Sequence, residues 1–254
     1  MAKQRQPQGP PPPPAVQRVV LRYAKRGPLR YASARDLARS FERALRRARV
    51  PMAYSAGFHP HPKLSYLSAA PTGAASEAEY LEVRLARRVE AAELAAGLTA
   101  VLPRDFPILG AVDTTGSTAG GSAAGLDFGA LLQASMWRLE WDAAPAPGGV
   151  DPAHLERALD TLMAAPAWRV RRPPRPKDKD PLGRELDIRP ALTGAALCDC
   201  HGDGPARVGC DIVLRHGVPA VRPDDVVRAL LAGLPDAAPT PLLTLRLAQG
   251  VLRE

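Results

Sequence analysis

The chain is poor in cysteine and lysine and has no long apolar run. Its three cysteines all fall between positions 198 and 210, too few and too clustered to staple 254 residues into a disulfide framework. No apolar stretch approaches the roughly 20 residues that span a bilayer. The first residues form no apolar signal core before the prolines at 10–14. A cytoplasmic protein with no membrane partner is therefore expected. The sequence also lacks a GxGxxG fingerprint, a P-loop and a serine nucleophile elbow, which removes the commonest nucleotide-binding and hydrolase signatures. Of 34 basic residues only 5 are lysine, and with 28 prolines that skew looks like the codon bias of a GC-rich genome.

What is present is enough for a core. Hydrophobic residues make up 46% of the chain and charged residues 24%, so most of it is not a disordered tail. The length suits one large domain or two ordinary ones. The net charge is +8 and the sequence pI about 9.9, a balance that points to a polyanionic partner. That charge is uneven. Residues 1–50 hold 13 basic groups against Asp36 and Glu42, a balance of +11, while the rest of the chain sums to −3.

Periodicity divides the chain. Residues 1–16 read as a disordered Pro-rich tail. In 17–113, alternation around Val19, Leu21 and Tyr23 gives a strand, and Ser33 with Asp36 starts a helix that Pro51 stops. Further strands follow near 52–55 and 80–85, then a helix over 89–102 and a strand over 106–112. Residues 114–134 read as a Gly/Ser/Thr-rich linker with a short helix. In 135–254 the order recurs: a strand at 136–141, a helix at 151–164, strands at 168–172 and 208–215, a helix at 222–234 and a strand at 242–247. A basic insertion, 173–207, is placed between the second and third of those strands. The expected fold is α+β: two tandem ferredoxin-like (split βαβ) halves, an internal duplication.

Three groups of residues are candidates for chemistry. The run His59-Pro60-His61-Pro62-Lys63 is held extended by its prolines, so His59, His61 and Lys63 are expected to project together as acid/base, phosphate or metal ligands, or else to cap a rigid turn. Along the first helix Leu37, Phe41, Ala44, Leu45 and Ala48 share one side, and Arg35, Arg39, Arg43 and Arg46 the other. With Arg22, Lys25, Arg26 and Arg30 just upstream they would form one basic patch for a phosphate backbone, the plain alternative being a solvated helix face. Arg171, Arg172 and Arg175 would add a second basic element, a polyanion clamp or a soluble loop. Cys198, Cys200, His201 and Cys210 are soft ligands, but Cys-x-Cys-His spacing fits no common structural zinc site. No cofactor is expected in this chain.

Several of these stretches resemble a known family. They are Leu21–Tyr31, Asp36-Leu37, Glu42–Ala48, Tyr54-Ser55-x-Gly57 through Lys63, Ser76-Glu77-x-Glu79-Tyr80-Leu81 and Glu185-x-Asp187-Ile188-Arg189-Pro190. Together they are similar to the radical-SAM-linked protein family, whose domain is of unknown function, over roughly residues 18–250. The resemblance implies a domain that occurs fused to a radical-SAM enzyme or as a separate chain. The absence here of the CxxxCxxC cluster motif implies the separate form. The chain departs from the family pattern at His59, where Asn is usual, and at Ser33-Ala34-Arg35-Asp36, where Ser-His-Leu-Asp is usual. Any mechanism that needs the helix-start histidine is weakened by its loss.

The function expected is an accessory protein that binds RNA or a ribosome-associated substrate through its basic face and works with a separate radical-SAM protein. The alternatives are an RNA-processing or RNA-modifying enzyme that uses the His59–Lys63 loop, and an adaptor that docks an acidic protein.

Overall fold

The computed structural model describes residues 13–56, 58–116, 128–146, 148–174, 182–200, 205–233 and 239–252. The chain divides into two compact units, residues 1–129 and 130–254. Most of the expected Pro-rich tail and most of the Gly/Ser linker lie outside the described residues. Both units are built of helices and antiparallel strands, so the protein is α+β.

In the first unit, β1 (Gln17–Lys25) lies between β3 (Ala75–Leu85) and β4 (Ile108–Asp113), antiparallel to both, and β2 (Leu64–Leu67) pairs with β3. Helices α1 (Ala34–Arg47) and α2 (Ala91–Thr99) supply Leu37, Phe41, Leu45, Leu94 and Leu98 to one core with Leu21, Leu81 and Val83. The period read from the sequence is the one that buries this face. Ser33 caps α1, its hydroxyl accepting from the Asp36 amide.

The end of α1 follows a different rule from the one expected. Arg49 adopts a left-handed φ of 53°, its amide reaches the Arg46 carbonyl, and the Val50 amide reaches the Leu45 carbonyl. That is a Schellman closure with arginine where glycine is customary, and it is complete before Pro51.

Three rings knit the core together: Tyr23, Phe41 and Phe106 meet edge-on with centroids 4.8–5.2 Å apart. Phe41 is fully buried, so Phe41→Ala should destabilise the fold by about 3–5 kcal/mol. Urea denaturation followed by tyrosine emission and far-UV circular dichroism measures this, since all five tyrosines lie in this unit.

In the second unit, β5 (Ala134–Asp142) lies between β10 (Leu243–Gly250) and β9 (Arg207–Arg215), and β8 (Leu192–Cys198) pairs with β9, again all antiparallel. Helices α3 (Pro152–Ala164) and α4 (Pro223–Ala232) complete it.

Here the sequence reading needs a correction. The strand expected at 168–172 is not part of this sheet: β6 (Arg169–Arg172) pairs with β7 (Arg184–Asp187) in a separate two-stranded hairpin. The strand that joins the sheet is β8, which lies within the expected insertion 173–207. Its Thr193-Gly194-Ala195-Ala196 run has low intrinsic strand preference, and pairing with β9 decides its state.

One partly buried chain of hydrogen bonds in this unit contains a titratable ring. The Trp137 indole N–H donates to Ser135 Oγ at 2.8 Å, and His216 sits between Ser135 Oγ at 3.0 Å and the Leu132 carbonyl at 2.6 Å. In the neutral ring with Nδ1–H donating to Leu132, Nε2 accepts from the serine hydroxyl. Burial, then the Arg246 charge, holds His216 below its ordinary pKa against the opposing pull of the Leu132 carbonyl. A lowered folded-state value means this stability is full above the unfolded pKa of about 6.5 and lost as pH falls through the folded one. The unfolding midpoint should therefore drop below pH 6.5, and His216→Gln should flatten that drop. Tryptophan emission reports it, because Trp137, Trp141 and Trp168 all lie in this unit.

Candidate nucleic-acid interface

The segment from the end of α1 to β2 forms a two-armed loop. Ser55 N–H donates to the His61 carbonyl at 2.9 Å, and Lys63 N–H to Ala53 at 2.8 Å. Pro60 and Pro62 have no N–H to give, and they alternate with His61 and Lys63, whose amides donate across the arms, that of His61 to Ser55 Oγ at 3.1 Å. The alternation expected to fix this loop thus has a concrete cause. Gly57 lies outside the described residues; Phe58 and His59 stand exposed beside it near the tip.

Between this loop and the last turns of α1 lies a cavity of about 180 Å³, walled by Glu42, Leu45, Arg46, Val50, Met52, Tyr54 and the Pro60–Pro62 arm. The Schellman turn places Val50 in that wall. Of the three residues expected to act together, His61 lines the cavity, whereas His59 and Lys63 do not. Lys63 is half-buried, with both its backbone groups bonded into the ladder.

The arginines sort into two groups. Arg35, Arg39, Arg43 and Arg46 are exposed, and among the described residues no carboxylate forms an ion pair with any of them. Arg43 reaches only the Ser40 hydroxyl at 3.0 Å. Asp36, the one acid in the first turn, is held below the usual carboxylate range, first by the Ser33 hydroxyl and then by Arg39 and Arg35.

The upstream candidates are largely spoken for. Arg26 makes a two-pronged bond to Glu77 at 2.6 Å, Arg22 donates to the Glu77 carbonyl, and Arg30 bonds the Tyr31 hydroxyl and stacks 4.7 Å over its ring. Lys25 is 1% exposed and donates to the Pro71 carbonyl, which takes it off the surface a phosphate could reach.

In the second unit Arg172 is likewise turned inward, forked onto the buried Asp225. Arg171 is exposed and faces Glu185 across the hairpin, and Arg175 lies outside the described residues.

Cys198 and Cys200 approach to 3.7 Å, in space that a Cβ on Gly209 would fill, at 2.5 Å from the Cys200 sulfur. Burial raises the pKa of both thiols, and Cys210 in the core is pushed up to about 12. His201 lies outside the described residues, and among those described no three His, Cys, Asp or Glu side chains are arranged to hold a metal.

Sequence reading missed the exposed rings of the segment that contains α1. Among the described residues, every exposed aromatic lies in one segment: Tyr31, Tyr54, Phe58 and Tyr66, between 37% and 62% exposed. Tyr66 packs against Phe41 and sits near Glu42; burial, then that negative charge, raises its hydroxyl pKa. Spacing of aromatics alone was the available signal, and it does not tell an exposed ring from a buried one.

Fold and site together define an α+β protein with an exposed basic helix beside a small cavity lined in part by polar groups. The chain belongs to the family described as uncharacterized protein conserved in bacteria (DUF2344), whose pattern matches residues 18–223. No curated protein matches it. Among solved structures it is similar to the crystal structure of an unknown protein from Galdieria sulphuraria, at 14% identity over 85% of this chain and 91% of that one, with a TM-score of 0.25. Among the described residues no helix is long and apolar enough to cross a membrane.

Proposed function

We propose that the protein is an accessory chain that binds RNA, free or within a ribosome-associated substrate, and works with a separate radical-SAM enzyme. The observation that carries the RNA reading is the α1 face. Four arginines stand exposed, without carboxylate partners among the described residues, on a chain that pairs Arg26, Arg138, Arg172 and Arg207 with acids elsewhere. Exposed Tyr31, Tyr54, Phe58 and Tyr66 in the same segment supply stacking surface, and bases of single strands stack on such rings. Guanidinium groups would position the phosphates. The link to a radical-SAM enzyme rests on the resemblance of the Gly57–Lys63 block, and the chemistry would belong to that partner, with no cofactor in this chain.

The architecture we infer is a tandem of two ferredoxin-like halves. Supporting it are the sheet orders β4-β1-β3-β2 and β10-β5-β9-β8, each with a helix after its first and third strands, the β6–β7 hairpin being inserted before β8.

Ultraviolet crosslinking of the tagged full chain in its own cell tests the RNA reading. The expected result is RNA recovered above the untagged control, with crosslinked peptides from residues 31–66. Absence of RNA, or crosslinks confined to residues 130–254, would contradict it. A protein partner that persists through ribonuclease treatment with no crosslinked RNA would favour the adaptor reading instead.

A further inference from the structure

We infer that the cavity at the end of α1 receives one unstacked guanine base of the bound RNA; this deepens the RNA reading and rests on it. Size sets the first limit. At about 180 Å³ the cavity falls below the roughly 300–1,000 Å³ of clefts that take drug-sized ligands, so it suits a single ring system and not a whole nucleotide cofactor.

Its polar groups set the second limit. The Glu42 carboxylate, the Arg46 guanidinium, the Tyr54 hydroxyl and the His61 ring all line it. Among the described residues none of these four side chains makes a hydrogen bond or an ion pair. Glu42 and Arg46 are four residues apart on one helix, a spacing that ordinarily favours pairing. Both are instead available to something in the cavity.

The third limit is which base can answer both groups. An ionised carboxylate accepts only, and it prefers two parallel N–H donors. A guanidinium donates only, and its forked pair suits the O6 and N7 acceptors of guanine. Guanine alone among the four bases carries two adjacent N–H donor groups, N1–H and N2–H₂, on one edge and two adjacent acceptors on the next. Cytosine leaves the carboxylate half-answered, and adenine and uracil leave both protein groups so. The C-terminal end of α1, negative by its dipole, also favours N–H donors there. Tyr54, at the cavity wall and 38% exposed, is the ring against which the base stacks.

The test uses the full chain and labelled hexaribonucleotides: all uridine, and the same strand with one central guanosine, adenosine or cytidine, read by fluorescence anisotropy. The guanosine strand should bind on the order of tenfold or more tightly than the other three. Glu42→Gln and, separately, Arg46→Gln should bring that ratio close to one, with circular dichroism showing the fold retained. Equal affinities for all four strands in the wild type would overturn the guanine site and leave the RNA reading standing. A guanosine preference that survives both substitutions would also overturn it, because the selectivity would then lie elsewhere. No binding to any strand would overturn the RNA reading and the site together.

Discussion

Replacing Arg35, Arg39 and Arg43 with glutamate should weaken single-stranded RNA binding at least several hundredfold at 50 mM salt. The reasoning is counterion release. Each phosphate contact on a single strand contributes about 0.7 to the slope of log affinity against log salt. Three lost contacts therefore make the slope shallower by about 2, and at 50 mM that amounts to several hundredfold. Added repulsion from three new carboxylates can only enlarge the loss. Arg46 is left in place so that the cavity keeps its cation. The three side chains are exposed and have no carboxylate partner among the described residues, so thermal stability should shift little, and the effect should appear in binding alone. Anisotropy titrations at several salt concentrations measure both quantities. An unchanged slope would mean that α1 does not touch the phosphates.

Asp225→Ala should be the most destabilising substitution outside the aromatic core of the first unit. The Asp225 carboxylate is fully buried at the start of α4. It accepts from the Arg222 amide at 2.9 Å, from Arg228 at 3.2 Å and from the fork of Arg172 on β6. It therefore both closes the helix N-terminus and ties the β6–β7 hairpin to α4. Its removal leaves the largely buried Arg172 without a counter-charge, and breaking a buried pair from one side costs about 3–5 kcal/mol. Against a total stability of about 5–15 kcal/mol, that approaches unfolding of the unit. Replacing both partners by apolar residues, Arg172→Met with Asp225→Leu, should cost less than Asp225→Ala alone, since no charge is then stranded. Urea midpoints from tryptophan emission decide this. A midpoint unchanged by Asp225→Ala would show that the pair carries no weight.

These two residues also show where sequence reading stops. Helix α1 was legible because its information is local: a 3.6-residue period, a serine cap and an aspartate one turn on. Its arginine face was legible for the same reason. In sequence Lys25 reads as part of that patch and Arg172 as part of a second basic element, yet the groups that claim Arg172 and Lys25 are Asp225, 53 positions away, and Pro71, 46 positions away. A cation reads the same in sequence whether it faces water or a buried acceptor. Glu42 shows the converse. In sequence it is the acid that interrupts a basic stripe; in the structure it is a cavity carboxylate. Similarly, Asp187 and Arg189 of the second-half motif turn out to hold backbone together. Asp187 accepts from the Trp168 and Arg189 amides, and Arg189 donates to the Met163 and Leu192 carbonyls. Strand β8 was missed because its small residues carry almost no pattern of their own.

The central claim is that the exposed face of α1 binds an RNA backbone electrostatically. The most direct measurement is the affinity of the unaltered full chain for a single-stranded RNA across salt concentrations from 50 to 500 mM. With four arginine contacts, log affinity should fall linearly with log salt at a slope of about −3. A slope near zero, or no measurable binding at 50 mM, would contradict the account.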